Sequence, residues 1–326
     1  MLEEKVLNTI KINSQIKSGD SIVLGVSGGP DSICMLNILY KLSKILNFNI
    51  VVAHINHMIR QEAICDEEYV ENFCNKLNIP IYIKREDVIK IAKEGKIGTE
   101  EAGRNIRYNF FEEILRKTNS NKIATAHNLN DNAETMLMNI FRGTGLTGLK
   151  GIEKNREDKY IRPLIDCMRN EIEEYCNKNN LNPKIDKTNM ENIYTRNKIR
   201  NICIPYIEKE FNSNIIKTLG RLSEIVCEET EYINSIIKVE YGKILVERTK
   251  KEIVLDLKQL NKLEMAIKKR LILYTISELI GNTCGIEKVN IEDIVKLCER
   301  NIGNKYLKPT KNIKILVKNK KVFFSV

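Results

Sequence analysis

The first half of this chain repeats one alternation, and that alternation leaves few folds open. Four short apolar or β-branched runs, Ser21–Val26, Asn49–His54, Ile79–Ile83 and Lys122–Ala126, read as strands. Between them Asp31–Leu46, Asp66–Leu77 and Thr99–Lys117 space their apolar residues as helices do, and Asp131–Arg142 follows the last run. Strands joined by crossover helices pair in parallel, because a parallel connection needs a dozen or more residues to return to the same end. The expected fold class is α/β, a doubly wound parallel sheet, which takes ligands at the carboxyl ends of its strands.

After Arg142 the texture changes. A glycine-rich stretch, Gly143–Gly151, leads to Arg162-Pro163 and then to helical residues 164–210 with a loop around Asn179–Asn189. A long helix is expected from Asn214 to Val239, then a hairpin (Lys243–Leu255), helices at Leu263–Ile280 and Asn290–Arg300, and terminal strands. A length of 326 residues exceeds one ordinary domain. The expected division is a catalytic domain with a helical extension over 1–215 and a smaller α+β domain over 216–326.

Ser27-Gly28-Gly29-Pro30-Asp31-Ser32 follows the first strand directly and opens a helix. Two glycines let the backbone approach an anion, and successive amides at a helix start bind it. Ser27 and Ser32 add hydroxyls, and Asp31 is placed to hold a magnesium ion beside phosphates. The loop lacks the Gly-Lys-Ser/Thr ending of a Walker loop. A tight strand-to-helix turn with Asp31 or Ser32 as cap is the plain structural alternative. Ser-Gly-Gly-x-Asp-Ser in this position resembles the signature of the N-type ATP pyrophosphatases, an adenine nucleotide α-hydrolase-like fold. That resemblance implies cleavage of ATP between its α and β phosphates.

All three histidines, His54, His57 and His127, stand at the ends of the second and fourth strands, on the same edge as the loop. Nucleotide hydrogen bonding or proton handling suits them there, as does a structural role. No neighbouring Cys/His set completes four zinc ligands. Asp131 and Glu134 are three apart at a helix start, so they share a face. They are either a capping box or two exposed carboxylates that hold an ammonium group or act as base. Ala133, Leu137, Ile140 and Phe141 would pack the other side of that helix on the sheet. Arg104 and Arg107 suit phosphate or carboxylate, or pair with Glu100, Glu101 or Glu112.

Together these segments resemble the bacterial tRNA(Ile)-lysidine synthetases, closely over residues 20–210 and loosely beyond. The matching stretches are LGVSGGPDS, AHINHMIRQEAICDEEYV, EEAGRNIRYNFFEE, ATAHNLNDNAETMLMNIFRGTGLTGLKGI, IRPLIDCMRNEI and NPKIDKTNMENIYTRNKIRN. Many members show two aspartates where this chain has Asn130-Asp131, which leaves Asp131 as the carboxylate. The resemblance implies that ATP and Mg2+ serve to adenylate the first anticodon cytidine of tRNA(Ile) with a CAU anticodon, after which L-lysine displaces AMP. It implies a catalytic set of Asp131, Glu134, His127 and Arg107. Ser27, Gly28, Gly29, Pro30, Asp31, Ser32 and His54 would hold nucleotide, and Arg104, Arg196, Lys198 and Arg200 would face tRNA. The last three otherwise read as a solvated helix face. Members of that family often carry a further C-terminal domain, and these 326 residues are either a shorter natural form or a piece of a longer chain.

A formal charge of +10, with seven lysines and no acid in residues 301–326, fits a polyanionic partner. Nine cysteines without a Cys-x-x-Cys pair read as free, mostly buried thiols in a reducing compartment. No apolar run is long enough to span a membrane and the N-terminus reads as a short amphipathic helix, so a cytoplasmic location without membrane contact is expected. The oligomeric state stays open, a homodimer included. The rival readings are a tRNA-thiolating enzyme of the same fold, a glutamine-dependent amidotransferase, and a non-catalytic tRNA-binding module. The first lacks its usual cysteine pair here and the second its glutamine-hydrolysing part.

Overall fold

A computed structural model describes residues 1–58, 63–184, 194–283, 285–300, 305–310 and 312–326. The chain divides into two compact units, Met1–Val226 and Cys227–Val326.

The first unit opens with α1 (Leu2–Ile12), then alternates β1 (Ser21–Gly25), α2 (Pro30–Leu46), β2 (Asn49–Asn56), α3 (Ala63–Leu77), β3 (Ile81–Arg85), α4 (Val88–Gly95), α5 (Thr99–Lys117), β4 (Lys122–Ala124) and α6 (Leu129–Phe141). It continues with α7 (Leu146–Leu149), β5 (Asn155–Arg156), β6 (Tyr160–Ile161), α8 (Arg169–Lys178) and α9 (Thr195–Lys198). A π-helical turn (Ile199–Cys203), α10 (Ile204–Glu210) and the start of α11 (Ile215–Ile244) complete it. The strand order is β3-β2-β1-β4-β6-β5. Pairs from β3 to β6 are parallel, and only the edge pair β5–β6 is antiparallel. The sequence reading contained neither the β5–β6 edge nor α4. Two-residue strands and a single short helix carry too little periodicity to be seen.

Alternation along the strands decides which core each residue joins. Ile22 and Leu24 of β1 and Ile50 and Val52 of β2 join Val6, Leu36, Val70 and Ile172 from α1, α2, α3 and α8. Val23, Val51 and Ala53 face the other way, onto Phe110, Phe111 and Ile114 of α5. Connections leave β1 toward β2 on one side while β4 lies on the other, so the crevice between the carboxyl ends of β1 and β4 is the switch point of the sheet.

One packing expectation is corrected. Ala133 and Leu137 of α6 pack with Ile199, Ile204, Ile216 and Leu219 of the later helices. Ile140 and Phe141 are exposed rather than laid on the sheet. The expected loop around Asn179–Asn189 lies partly outside the described residues, as do Cys284 and Lys311.

The second unit takes the end of α11, β7 (Leu245–Arg248), β8 (Glu252–Asp256), α12 (Leu257–Lys262), α13 (Met265–Ile280), α14 (Lys288–Arg300), β9 (Lys305–Thr310), β10 (Ile313–Lys318) and β11 (Lys321–Ser325). Its sheet is antiparallel throughout, in the order β7-β8-β11-β10-β9. Leu271, Ile276, Ile294, Ile315 and Phe324 form the core. Among the described residues no helix is long and apolar enough to cross a membrane. Among the described residues eight cysteines are free, five of them buried.

Candidate active site

The turn after β1 is built around one hydroxyl. Ser32 Oγ accepts from the main-chain amides of Ser27 (3.1 Å) and Gly28 (3.2 Å) and donates to the Gly29 carbonyl (3.0 Å). Gly28 sits at φ +93, where a side chain is strained, and a Cβ there would meet Val70 at 3.4 Å. Gly29 caps α2 and Pro30 fills its first turn, where no amide partner is needed. A phosphate held by the Ser27 and Gly28 amides therefore takes them from Ser32.

Asp31 lies at the mouth of this turn. One carboxylate oxygen accepts from Asn128 Nδ2 at 2.9 Å, and the other is 3.6 Å from Arg169 Nη1. Burial pushes its pKa up to about 6 against the opposing pull of Arg169. Among the described residues no group of three His, Cys, Asp or Glu side chains is arranged to hold a metal ion. A single carboxylate beside a phosphate cradle fits magnesium, which is held by one or two carboxylates together with substrate phosphates and water.

At the facing end of β4, Asn128 and Asp131 form the capping box of α6. Asp131 N donates to Asn128 Oδ1 (3.0 Å), and Asn128 N donates to Asp131 Oδ2 (3.1 Å). The other Asp131 oxygen accepts from Nη2 of Arg196 (2.9 Å) and of Arg200 (3.1 Å). Glu134, only 1 % exposed, accepts from the same two guanidiniums at 2.5–2.9 Å. Neither alternative read from the sequence holds as stated: the capping box is formed by Asn128 and Asp131, and Glu134, not exposed, is sealed behind Asp131 by two arginines from α9 and the π turn. Arg196 and Arg200, expected on an RNA-facing surface, are half-buried ion-pair partners in this state. Lys198, between them, is exposed.

The histidines separate. His54 is buried and donates from Nδ1 to the Val26 carbonyl at 2.8 Å, outside the cleft lining. His57 and His127 line the cleft, the latter with Nδ1 2.9 Å from Thr125 Oγ1. Burial, helped by nearby arginines, lowers both to about 4, so both are neutral at pH 7.

Between these groups lies a cleft of about 310 Å³. Gly25, Val26, Ala53, Ile55, Phe111 and Ala126 supply its apolar wall, and Ser27, Asp31, Ser32, His57, Arg107, His127, Asp131 and Arg196 its polar one. Gly25 is required by the ring beside it, since a Cβ there would stand 2.8 Å from Phe111 Cε2 and nearer still to Cζ. Arg104 stacks on Tyr108 at 5.0 Å and lines a neighbouring basic depression with His127, Lys150, Arg162 and Arg196. An apolar wall facing convergent polar groups beside a phosphate cradle is the shape of a nucleotide site.

Residues 2–207 match the family model described as a PP-loop domain, which implies ATP binding. The chain is 47% identical over 310 residues to the tRNA(Ile)-lysidine synthase of Clostridium acetobutylicum, covering 95% of this chain and 67% of that one. It is 44% identical over 314 residues to the synthase of Clostridioides difficile, covering 96% and 68%. The chain belongs to the tRNA(Ile)-lysidine synthase family. Members of that family are ligases that form a C–N bond, which decides against the thiolase reading. A U34-tRNA thiolase from Methanococcus maripaludis, bearing a [4Fe-4S] cluster, is similar in structure with a TM-score of 0.57 at 21% identity, over 68% of this chain and 78% of that one. That likeness is one of fold. The chain spans about two thirds of the length of the synthases it matches.

Seen in a lysidine synthase, the residues that sequence reasoning left out are Gly25, Phe111, Asn128 and Arg169. His57 was already singled out as a strand-end histidine, and the structure places it in the cleft lining. The others act through distances between elements far apart in the chain.

Proposed function

We propose that this chain ligates L-lysine to C2 of the cytidine at the first anticodon position of tRNA(Ile) with a CAU anticodon, giving lysidine, AMP and pyrophosphate. The reading is carried by one observation: the phosphate turn, through Asp31, and the carboxylate of Asp131 line the same cleft, beyond the carboxyl ends of the paired strands β1 and β4. In the first step the cytidine O2 attacks the α phosphorus of ATP, the bond to the β phosphate breaks, and pyrophosphate leaves. In the second the lysine ε-amine forms a bond to C2, the C2–O2 bond breaks, and AMP departs with that oxygen.

Asp131 orients the amine and accepts its proton. His127 and Arg107 flank the reacting base, His127 as a neutral hydrogen-bonding group and Arg107 as a fixed cation. Ser27–Ser32 holds the phosphates. Magnesium at Asp31 would neutralise phosphate charge when bound. His54 braces the strand end below the turn through Val26 rather than touching nucleotide. Arg104 and Lys198 supply charge toward RNA, and Arg196 and Arg200 join them when the polyanion competes with the carboxylates. The second unit adds RNA contacts of its own, supported by an exposed Tyr306 with Lys314 Nζ 4.9 Å from its ring centre. The reaction belongs in the cytoplasm, where its tRNA and lysine are.

The decisive experiment supplies labelled lysine, ATP and tRNA(Ile) bearing CAU. Label should enter the tRNA with one AMP formed per lysine. Labelling that needs a sulfur donor, or none at all, removes the proposal.

A further inference from the structure

The phosphate turn has no cation of its own. No lysine or arginine occurs between Ser21 and Tyr40, whereas a Walker loop carries a lysine to the terminal phosphates. A triphosphate needs positive charge beyond what a magnesium ion and amide dipoles supply. Among the described residues, the guanidinium of Arg169 is the one within ion-pair distance of Asp31 in that turn, and it comes from far along the chain. Arg169 is the first residue of α8, and its Nη1 lies 3.6 Å from Asp31 Oδ2.

Three contacts hold it there. The Arg169 main-chain amide donates to Asn130 Oδ1 at 3.0 Å, so the residue just before Asp131 anchors the start of α8. Arg169 Nε donates to Glu173 Oε1 at 3.1 Å, one turn along the same helix. Further along α8, Cys176 Sγ donates to the Pro30 carbonyl at 3.6 Å, clamping the helix onto the turn itself. The guanidinium keeps a quarter of its surface open to solvent, and its pairing with Asp31 is long for an ion pair, so an incoming anion can replace it at small cost.

We propose that Arg169 grips the β and γ phosphates of the bound nucleotide and the pyrophosphate that leaves, taking the part that a lysine plays in Walker loops. The guanidinium exchanges the Asp31 carboxylate for phosphate oxygens, and its forked donors match two oxygens at once. Asn130 positions it by fixing the backbone from which it projects. The proposal rests on ATP binding by this turn and is independent of which base or amine reacts.

The test compares ligands that differ only in terminal phosphates, using the full chain without tRNA. In Arg169→Ala the affinity for ATP and for inorganic pyrophosphate should fall about ten- to hundredfold, while that for AMP stays within about twofold. Arg169→Lys, which keeps the charge without the fork, should lose less and serves if the alanine variant does not fold. Glu174→Ala, which removes only the exposed pair with Lys178 further along the helix, should leave all three affinities unchanged. An unchanged ATP affinity in both Arg169 variants overturns the proposal. So does an equal loss for ATP and AMP, which would mark Arg169 as a brace for the turn. Because no tRNA or lysine enters the assay, its failure is separate from failure of the lysidine reaction.

Discussion

Arg196 Nε lies 2.8 Å from Glu134 Oε2, so a helix beyond the sheet is tied to a carboxylate almost wholly removed from solvent. Arg200 makes the second half of the same clamp, at 2.5 Å from Glu134 Oε1. Truncating a buried partner leaves charge uncompensated, which costs far more than a surface pair is worth. Glu134→Ala should lower the unfolding free energy by about 3 kcal/mol. Urea denaturation measures it, and a loss under about 1 kcal/mol would show that the arginines are satisfied without Glu134.

Asp131 divides its oxygens between the cap of α6 and the two arginines, yet it still faces the cleft. Asp131→Asn keeps the size and one acceptor while removing the base. Lysidine formation should fall at least about a hundredfold, with ATP affinity within about twofold of the parent. Normal turnover by this variant would take Asp131 out of the reaction.

His57 and His127 are both held at about 4, below the ordinary 6.5, chiefly by burial. The folded state therefore resists protonation. As pH falls from about 6.5 towards 4 the unfolded chain takes up protons that the folded one refuses, so these two groups withdraw stability over that window. Their ring protons should titrate with midpoints near 4 by NMR. Midpoints above about 6 would mean that the rings are hydrated, and His127→Asn should flatten the acid limb of the stability profile.

Gly25 and Phe111 share one volume at the floor of the cleft. Gly25→Ala forces the buried ring to move, with a stability loss of about 1–3 kcal/mol and weakened ATP binding. Adding Phe111→Leu should recover part of both. Parental melting temperature and ATP affinity in the single variant would show the ring to be free to yield.

The motif Ser27–Ser32, its place after a strand and the parallel order of the first sheet were all legible in the sequence, because hydrophobic period and glycine conformation are local properties. Residues Asp31, Asp131 and His127 were legible as neighbours for the same reason: a parallel sheet collects its strand ends on one edge. The roles of Glu134, Arg196 and Arg200 were not. Each is individually compatible with an exposed helix face, and only packing of α6 against α9 and the π turn joins these three charges and Asp131 into one cluster around the buried Glu134. Arg169 and Asn130 follow the same logic, since a hydrogen bond across 39 positions of chain leaves no periodic trace. Sequence determined which chemistry the strand ends carry. The tertiary fold decided which of those charges neutralise one another and which still face a ligand, because desolvation and pairing depend on distances that chain order does not encode.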